Sequence, residues 1–250
     1  MTPLPSYAAV ARHSVDAVVS TQLDALERAA DLVVAALGSG GVVQAFGTGH
    51  SRIVTLELAG RAGGLAPVGM LAVKDLVMFG GTDPALILDP TFEREPGIAA
   101  RVYELAAPCA EDVFVIVSNS GINAAIVEMA QLARDNGHPV IAITSLAHTG
   151  STASRDASGK RLVDLADVVI DNCAPQGDAA VEIAPGVAIG AVSSLTGVLI
   201  AQLLTELVCR RLIAADEPLP VHLSANLPAG DAHNARLYEA YGARVRPIEP

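Results

Sequence analysis

Three short stretches of the chain gather hydroxyls, amides and glycines in a pattern that suits an oxyanion. The first, Phe46-Gly47-Thr48-Gly49-His50-Ser51-Arg52, follows an apolar run from Val42 and precedes a helical pattern through Val54, Leu58 and Ala62. Two glycines where a strand turns into a helix let the backbone come close to a ligand. The helix start adds unpaired N–H groups and the positive end of its dipole. The second stretch, Ser118-Asn119-Ser120-Gly121-Ile122-Asn123, follows the run Val113 to Val117 and opens another helix. The third is Thr144-Ser145, at the end of the run Val140 to Thr144. A helix cap needs only one such residue. Three hydroxyl-rich strand ends in one chain point instead to convergent binding of an anion such as a phosphate monoester. Nucleotides fit less well, because the chain has no Walker lysine pattern and no glycine pattern with an acidic residue ~20 positions on.

The elements that must hold these stretches follow from hydrophobic period. Val15, Val19, Leu23, Leu26, Ala30, Val33 and Leu37 recur every three or four positions, which predicts one helix from about Tyr7 to Leu37, ended by Gly38 to Gly41. With no crossover partner, it is expected to cover a second subunit rather than its own domain. A strand at 42–46, a helix to about Arg61 and a short strand at Leu65–Val68 come next. From Gly69 to Pro96 no period holds, and the segment reads as an irregular insertion, a lid or subunit contact. Order returns with a helix at Gly97–Ala107, the strand Val113–Val117 and a helix to Asp135. The strand Val140–Thr144 and a strand at Val168–Ile170 follow. A small-residue segment, Ala174 to Pro185, leads into a long helix predicted from Val187 to about Ala214. The expected division is an N-terminal helix at 1–38 making a dimer contact, a binding domain at 39–215, and a tail at 216–250 lying over the site. Strands alternating with helices predict an α/β fold with a parallel sheet, whose ligand sits beyond the carboxyl ends of the strands near a switch in strand order.

Composition narrows the partners. The formal net charge of −11 repels nucleic acid and anionic membranes, so neither is an expected partner. The best membrane candidate, Val187 to Leu204, is interrupted by Ser193, Ser194, Thr196 and Gln202. Cys109, Cys173 and Cys209 are odd in number and far apart, as expected of core-filling thiols in a reducing cytoplasm.

The three stretches together carry a resemblance. FGTGHSR, VSNSGIN and the ITS that ends the later strand resemble a SIS (sugar isomerase) domain, more specifically the bacterial phosphosugar-isomerase-like group. The blocks ITSLAH, Gly177 to Glu182 and the tail pattern SANLPAGDAHN belong to the same match. The resemblance implies a five-stranded parallel sheet flanked by helices, in a flavodoxin-like three-layer sandwich. It further implies a homodimer or dimer-based tetramer with a site at the subunit interface, and a sugar phosphate as the small-molecule partner. Ser51, Ser118, Ser120 and Asn123 or Thr144 are implied to hold the phosphate. Gly47, Thr48, Gly49, Arg52, Asn119, Gly121 and Ser145 complete the binding set.

The resemblance implies an aldose–ketose isomerase of a sugar phosphate acting through an enediol, with a phosphosugar-binding sensor without catalysis or a phosphosugar lyase as alternatives. An isomerase moves a proton between C1 and C2 and needs an acid and a base. Such enzymes commonly use a Glu with a His, and the candidates are Glu57, His50 and His233. Asp178 and Glu182 are alternative bases. Some relatives use zinc, but this chain has no His pair at helical spacing and carries Glu57 where a ligand would be expected. No metal and no cofactor is therefore expected. Between Gly69 and Pro96 the chain departs from the pattern of close relatives, and Glu93 or Glu95 could there replace a missing carboxylate.

Overall fold

The computed structural model describes residues 6–89, 92 and 95–248. Its centre is a five-stranded sheet in the order β2-β1-β3-β4-β5, all parallel. The strands are β1 (Val43–Gly47), β2 (Val68–Leu71), β3 (Val113–Val117), β4 (Val140–Thr144) and β5 (Val168–Asp171). Every residue of β1 to β4 is buried, and alternate side chains enter opposite layers. Val113, Val115 and Val117 join one core cluster, while Phe114 and Ile116 join the other.

The first layer comprises α2 (Leu23–Gly38), α3 (Arg52–Leu58) and α9 (Ser193–Ala214). There Leu26, Val33, Val54, Ile200, Leu204 and Val208 are almost fully buried. The second layer holds α6 (Ile98–Ala106) and α7 (Ala124–Asp135), with Ile98, Val102, Ile126 and Met129 against the sheet. Each such burial contributes about 1.5–3 kcal/mol. The α/β sandwich read from the sequence is thus present, and β3 and β4 have the predicted limits.

Four expectations differ. The long first helix is two, α1 (Ser6–Thr21) and α2. Ser20 Oγ and Thr21 Oγ1 donate back to Asp16 O and Ala17 O, each at 2.7 Å, a contact that bends helices. Gln22 then turns its Oε1 to accept from Asp171 N–H at the end of β5. Because of the break, α2 lies on its own sheet, whereas α1 buries only Ser14 and Val18.

The second strand begins three residues later than read. Leu65 instead bridges Val221 of the tail. The segment 69–96 contains two one-turn helices, α4 (Asp75–Met78) and α5 (Pro84–Ile87); Glu93 lies outside the described residues.

The long helix does not start at Val187. A two-stranded antiparallel ribbon, β6 (Ala179–Ala184) and β7 (Val187–Ala191), turns at Pro185-Gly186, and α9 starts only at Ser193. Asp178 ends the reading of a free base there. Its carboxylate accepts from Val192 N–H, Ser193 N–H and Ser193 Oγ at 2.6–3.0 Å, which caps α9.

Last, the tail is anchored where the strands begin. Arg244 Nη2 donates to Asp112 Oδ1 at 2.6 Å, just ahead of β3, and Arg246 donates to Leu105 O. Its helix, α10 (Gly230–Tyr241), puts Tyr238 beside His222. Burial holds the His222 imidazole below its usual pKa.

Candidate functional site

The strand order fixes where the chain can bind. After β1 the chain crosses to β2 on one side, and after β2 it returns to β3 on the other. The carboxyl ends of β1 and β3 therefore part, and a crevice opens between them. Register places Gly47 beside Val117, Val117 beside Ile143, and Thr144 beside Asp171. All the hydroxyl-rich stretches consequently start from one edge of the sheet.

The β1 wall is a tight turn. Gly47 and Thr48 lead into a one-turn 3-10 helix, Gly49–Ser51, and then α3. Neither Thr48 nor Ser51 caps the helix that it precedes, so both hydroxyls are left for another partner. His50 is exposed and, with Ser51 and Asn119, borders a crevice between α3 and α9.

The β3 wall is more rigid. Ser118 is buried, its N–H donates to Ile143 O, and its Oγ accepts from Gly121 N–H at 3.1 Å. Gly121 has φ +65°, and an added Cβ would lie 3.1–3.2 Å from Thr149 Oγ1 and Thr144 Oγ1; only glycine fits. Ser120 O accepts from Thr149 Oγ1, on the short helix α8 (Leu146–Ser151), at 2.7 Å. Asn123 precedes α7 without capping it, so its side chain leaves the opening amides of that helix to another partner. Its Oδ1 accepts instead from Arg155 Nη1 at 3.1 Å.

The third stretch has a different task. Thr144 and Ser145 are fully buried. Thr144 Oγ1 reaches Asn119 O and Thr149 Oγ1, and Ser145 Oγ donates to Ala174 O at 2.6 Å. Both residues brace the β3 wall from behind. Asn119 is fixed in the same network, with its Oδ1 accepting from Asn172 Nδ2 at 3.0 Å.

Glu57 lies six residues beyond Ser51, about 9 Å along the helix. Its side chain is 15% exposed and turned toward α9, where Oε1 accepts from Gln202 Nε2 at 2.5 Å and from Arg61 Nη1. The helices meet closely here. A Cβ on Gly197 would lie 2.5 Å from Val54 Cγ2. Gly197→Ala is therefore expected to destabilise the fold by about 1–3 kcal/mol through overpacking, read as a lower Tm.

His233 is not brought to this edge within the chain. Its Nε2–H donates to Val221 O at 2.9 Å, in the tail segment that bridges Leu65. Glu182 is on the exposed ribbon and accepts from Gly186 N–H. Burial and the nearby Asp171 push the Cys173 thiol up, which keeps it protonated and poorly nucleophilic.

Sequence reasoning missed Thr149, Asn172 and Gln202 as members of this network. Asn172 carried a signal, since it too ends a strand. Gln202 stood out only as a polar residue in an apolar helix.

Comparison with known proteins agrees with this geometry. The family model described as SIS domain matches residues 6–145. A UPF0309 protein of Brucella canis is 39% identical over 220 residues, 88% of each chain. Among solved structures, a phosphoheptose isomerase from Neisseria gonorrhoeae superposes with a TM-score of 0.57 at 17% identity, over 81% of this chain and 95% of the other. The Vibrio vulnificus NanR protein complexed with ManNAc-6P gives 0.51 at 16% identity, over 96% and 69%. At these identities the two structures share the fold. Among the described residues no helix is long and apolar enough to cross a membrane. With the family model spanning more than half of its length and a Brucella relative matching across most of it, the chain belongs to the SIS domain family.

Proposed function

We propose that this protein binds a sugar phosphate at the β1–β3 switch point and isomerises it between aldose and ketose forms through an enediol. The observation that carries the reading is the pairing of two walls. Thr48 and Ser51 stand uncapped on one side, and Ser118, Ser120 and the opening amides of α7 stand on the other. Hydroxyls and amides hold a phosphate without a formal positive charge, which suits a chain of net charge −11.

Glu57 is the proposed proton carrier, with Gln202 orienting it. His50 is the proposed group at the ring oxygen. His233 would serve only a neighbouring copy, because its own chain holds it at the opposite edge. The proposed unit is a homodimer or dimer-based tetramer. Ile53, Leu56 and Leu195 are 39–41% exposed near Glu57, and Ile183, Val187 and Ile189 are more than half exposed on the ribbon. A second copy covering these apolar groups would also close the site, and sedimentation measures it.

Binding without chemistry is the second reading. It is favoured by the commitment of Glu57 to Arg61 and Gln202. A thermal-shift screen of sugar phosphates, followed by proton NMR of the best binder in D₂O, separates the two. Deuterium entering at C2 supports the isomerase, and binding without exchange supports the sensor. The double variant Ser118→Ala/Ser120→Ala is expected to weaken sugar phosphate binding by about 1–3 kcal/mol, roughly 5–150-fold in Kd. Unchanged affinity in calorimetry would overturn the phosphate seat.

A further inference from the structure

The carboxyl edge of the sheet carries a further imidazole, that of His148 on α8. The ring is half-buried, and its backbone is fixed from two sides. Its N–H donates to Ser145 Oγ at 3.0 Å, and Ser145 Oγ in turn donates to Ala174 O. The next residue, Thr149, is bonded to Ser120 O and to Thr144 Oγ1, which holds α8 against the β3 wall.

Which ring nitrogen carries the proton is decided by what the other one meets. Here the answer follows from a chain of contacts that begins at a backbone amide. Ala174 N–H can only donate, and it donates to Asn172 Oδ1 at 3.0 Å. The Asn172 amide is thereby oriented, and its Nδ2 donates to Asn119 Oδ1 at 3.0 Å. Asn119 is oriented in its turn, because the opposite setting would press two NH₂ groups together. Its Nδ2 lies 3.4 Å from His148 Nδ1. An amide NH₂ only donates, so Nδ1 accepts, and the neutral imidazole carries its proton on Nε2. The last contact is long, as hydrogen bonds of functional groups often are before a ligand tightens them.

Three strand ends contribute to this relay: Asn119 follows β3, His148 follows β4 and Asn172 follows β5. Asn172 is 3% exposed, and with Asn119 it also lines the crevice between α3 and α9. Among the described residues no group of the chain bonds Nε2. A solvated imidazole needs no such control, since water accepts and donates equally well. Fixing the ring as a donor matters where its partner can only accept. Oxygens of a phosphate dianion and of a carbonyl are of that kind, whereas a sugar hydroxyl takes either role.

We propose that His148 is a further ligand-contacting residue of this site, giving its Nε2–H to an acceptor-only oxygen of the sugar phosphate. That oxygen belongs to the phosphate or to the carbonyl of the open chain. Asn119 and Asn172 are the positioning residues that set the polarity of the ring. This rests on the phosphosugar reading above and deepens it by naming the group that the ligand must present.

Correlation of imidazole protons with ring nitrogens by NMR tests it on the full chain at mildly alkaline pH. His148→Gln locates the His148 signals among those of the six histidines. The unliganded wild type is expected to carry the proton on Nε2. Asn172→Asp is expected to move it to Nδ1, because a carboxylate that accepts from Ala174 N–H has no proton for Asn119, whose amide then turns its oxygen to His148. A wild-type proton on Nδ1, or a folded Asn172→Asp chain with the proton still on Nε2, would overturn the relay and leave the phosphosugar reading standing. If Asn172→Asp fails to fold, the wild-type spectrum decides. Saturating inorganic phosphate, glucitol 6-phosphate and fructose 6-phosphate then locate the acceptor. A shifted Nε2 resonance with all three supports the phosphate, and one with fructose 6-phosphate alone supports the carbonyl, which glucitol 6-phosphate lacks. A shift with glucitol 6-phosphate but not with inorganic phosphate would put a hydroxyl there and overturn the acceptor-only oxygen. Bound probes with no shift would overturn the ligand contact. Binding of none would overturn the phosphosugar reading and the ligand contact together. In calorimetry His148→Ala is expected to weaken the contacted probe about tenfold, and His148→Gln, whose amide still donates, by less.

Discussion

Replacing Asp112 by Ala is expected to destabilise the protein by about 3–5 kcal/mol, the usual cost of removing one partner from a buried ion pair. Asp112 is completely buried. Its Oδ1 accepts from Val42 N–H at 2.9 Å and from Arg244 Nη2 at 2.6 Å. Its Oδ2 accepts from Gln44 Nε2 at 2.9 Å and from Cys109 N–H at 3.1 Å. One carboxylate thus joins the approach to β1, the approach to β3 and the C-terminal tail, and its loss strands four donors. Arg244→Ala should cost less, because that side chain is 28% exposed and the other three donors keep their acceptor. Urea unfolding of both variants measures the order. A D112A midpoint equal to wild type, with an unchanged m-value, would refute the role assigned to the carboxylate.

Glu57→Gln is expected to slow deuterium exchange at the sugar C2 by about 10²–10⁴-fold, the usual contribution of a positioned general base. The substitution preserves size and leaves the carbonyl oxygen that can accept from Arg61 and Gln202, so α3 and α9 should stay in contact. Phosphate affinity should remain within about threefold, because no group of the Thr48–Ser51 or Ser118–Gly121 walls is altered. The contrast between lost exchange and kept binding distinguishes a proton carrier from a structural carboxylate. A structural role would lower Tm and leave the exchange rate per folded molecule unchanged. Exchange within tenfold of wild type would remove Glu57 from the mechanism.

Much of the sheet was legible because its strands are buried on both faces. VFVIV and VIAIT are apolar throughout, and no alternative period competes with them. The second strand was harder to place: Pro67 and Gly69 interrupt its pattern, and the bridge from Leu65 to Val221 is a long-range contact that no local window contains. The ribbon was hidden by its own apolar residues, since Val187, Ile189 and Val192 continue smoothly into the helix pattern of α9. The Pro185-Gly186 turn was its one local sign. The break at Gln22 left the apolar period intact and arose from back-bonding hydroxyls and one strand-end contact.

At the candidate site, residue type revealed location better than orientation. Thr144 and Ser145 do end a strand beside Ser118, yet their hydroxyls point into the scaffold. That direction depends on Thr149 and Ala174, which come from elsewhere in the chain. The tail was expected over the site for its polar residues, whereas the Arg244 and Arg246 contacts that tie it to the far edge carry no sequence signature.

The cleft of about 340 Å³ between the 47–52 turn and the segment after β2 has two sides that hang from unequal supports. The hydroxyl walls stand on β1 and β3, which have a neighbour on each side, so any shift there disturbs other strands. The segment bearing Val73, Lys74 and Ile87 follows β2, an edge strand bound to β1 alone. It can lengthen, shorten or change its charges without moving the register of the sheet. On the proposed function, descendants of one ancestral gene can exchange the sugars they accept while inheriting the anion seat intact, with novelty confined to the margin of the fold and heritage kept at its centre.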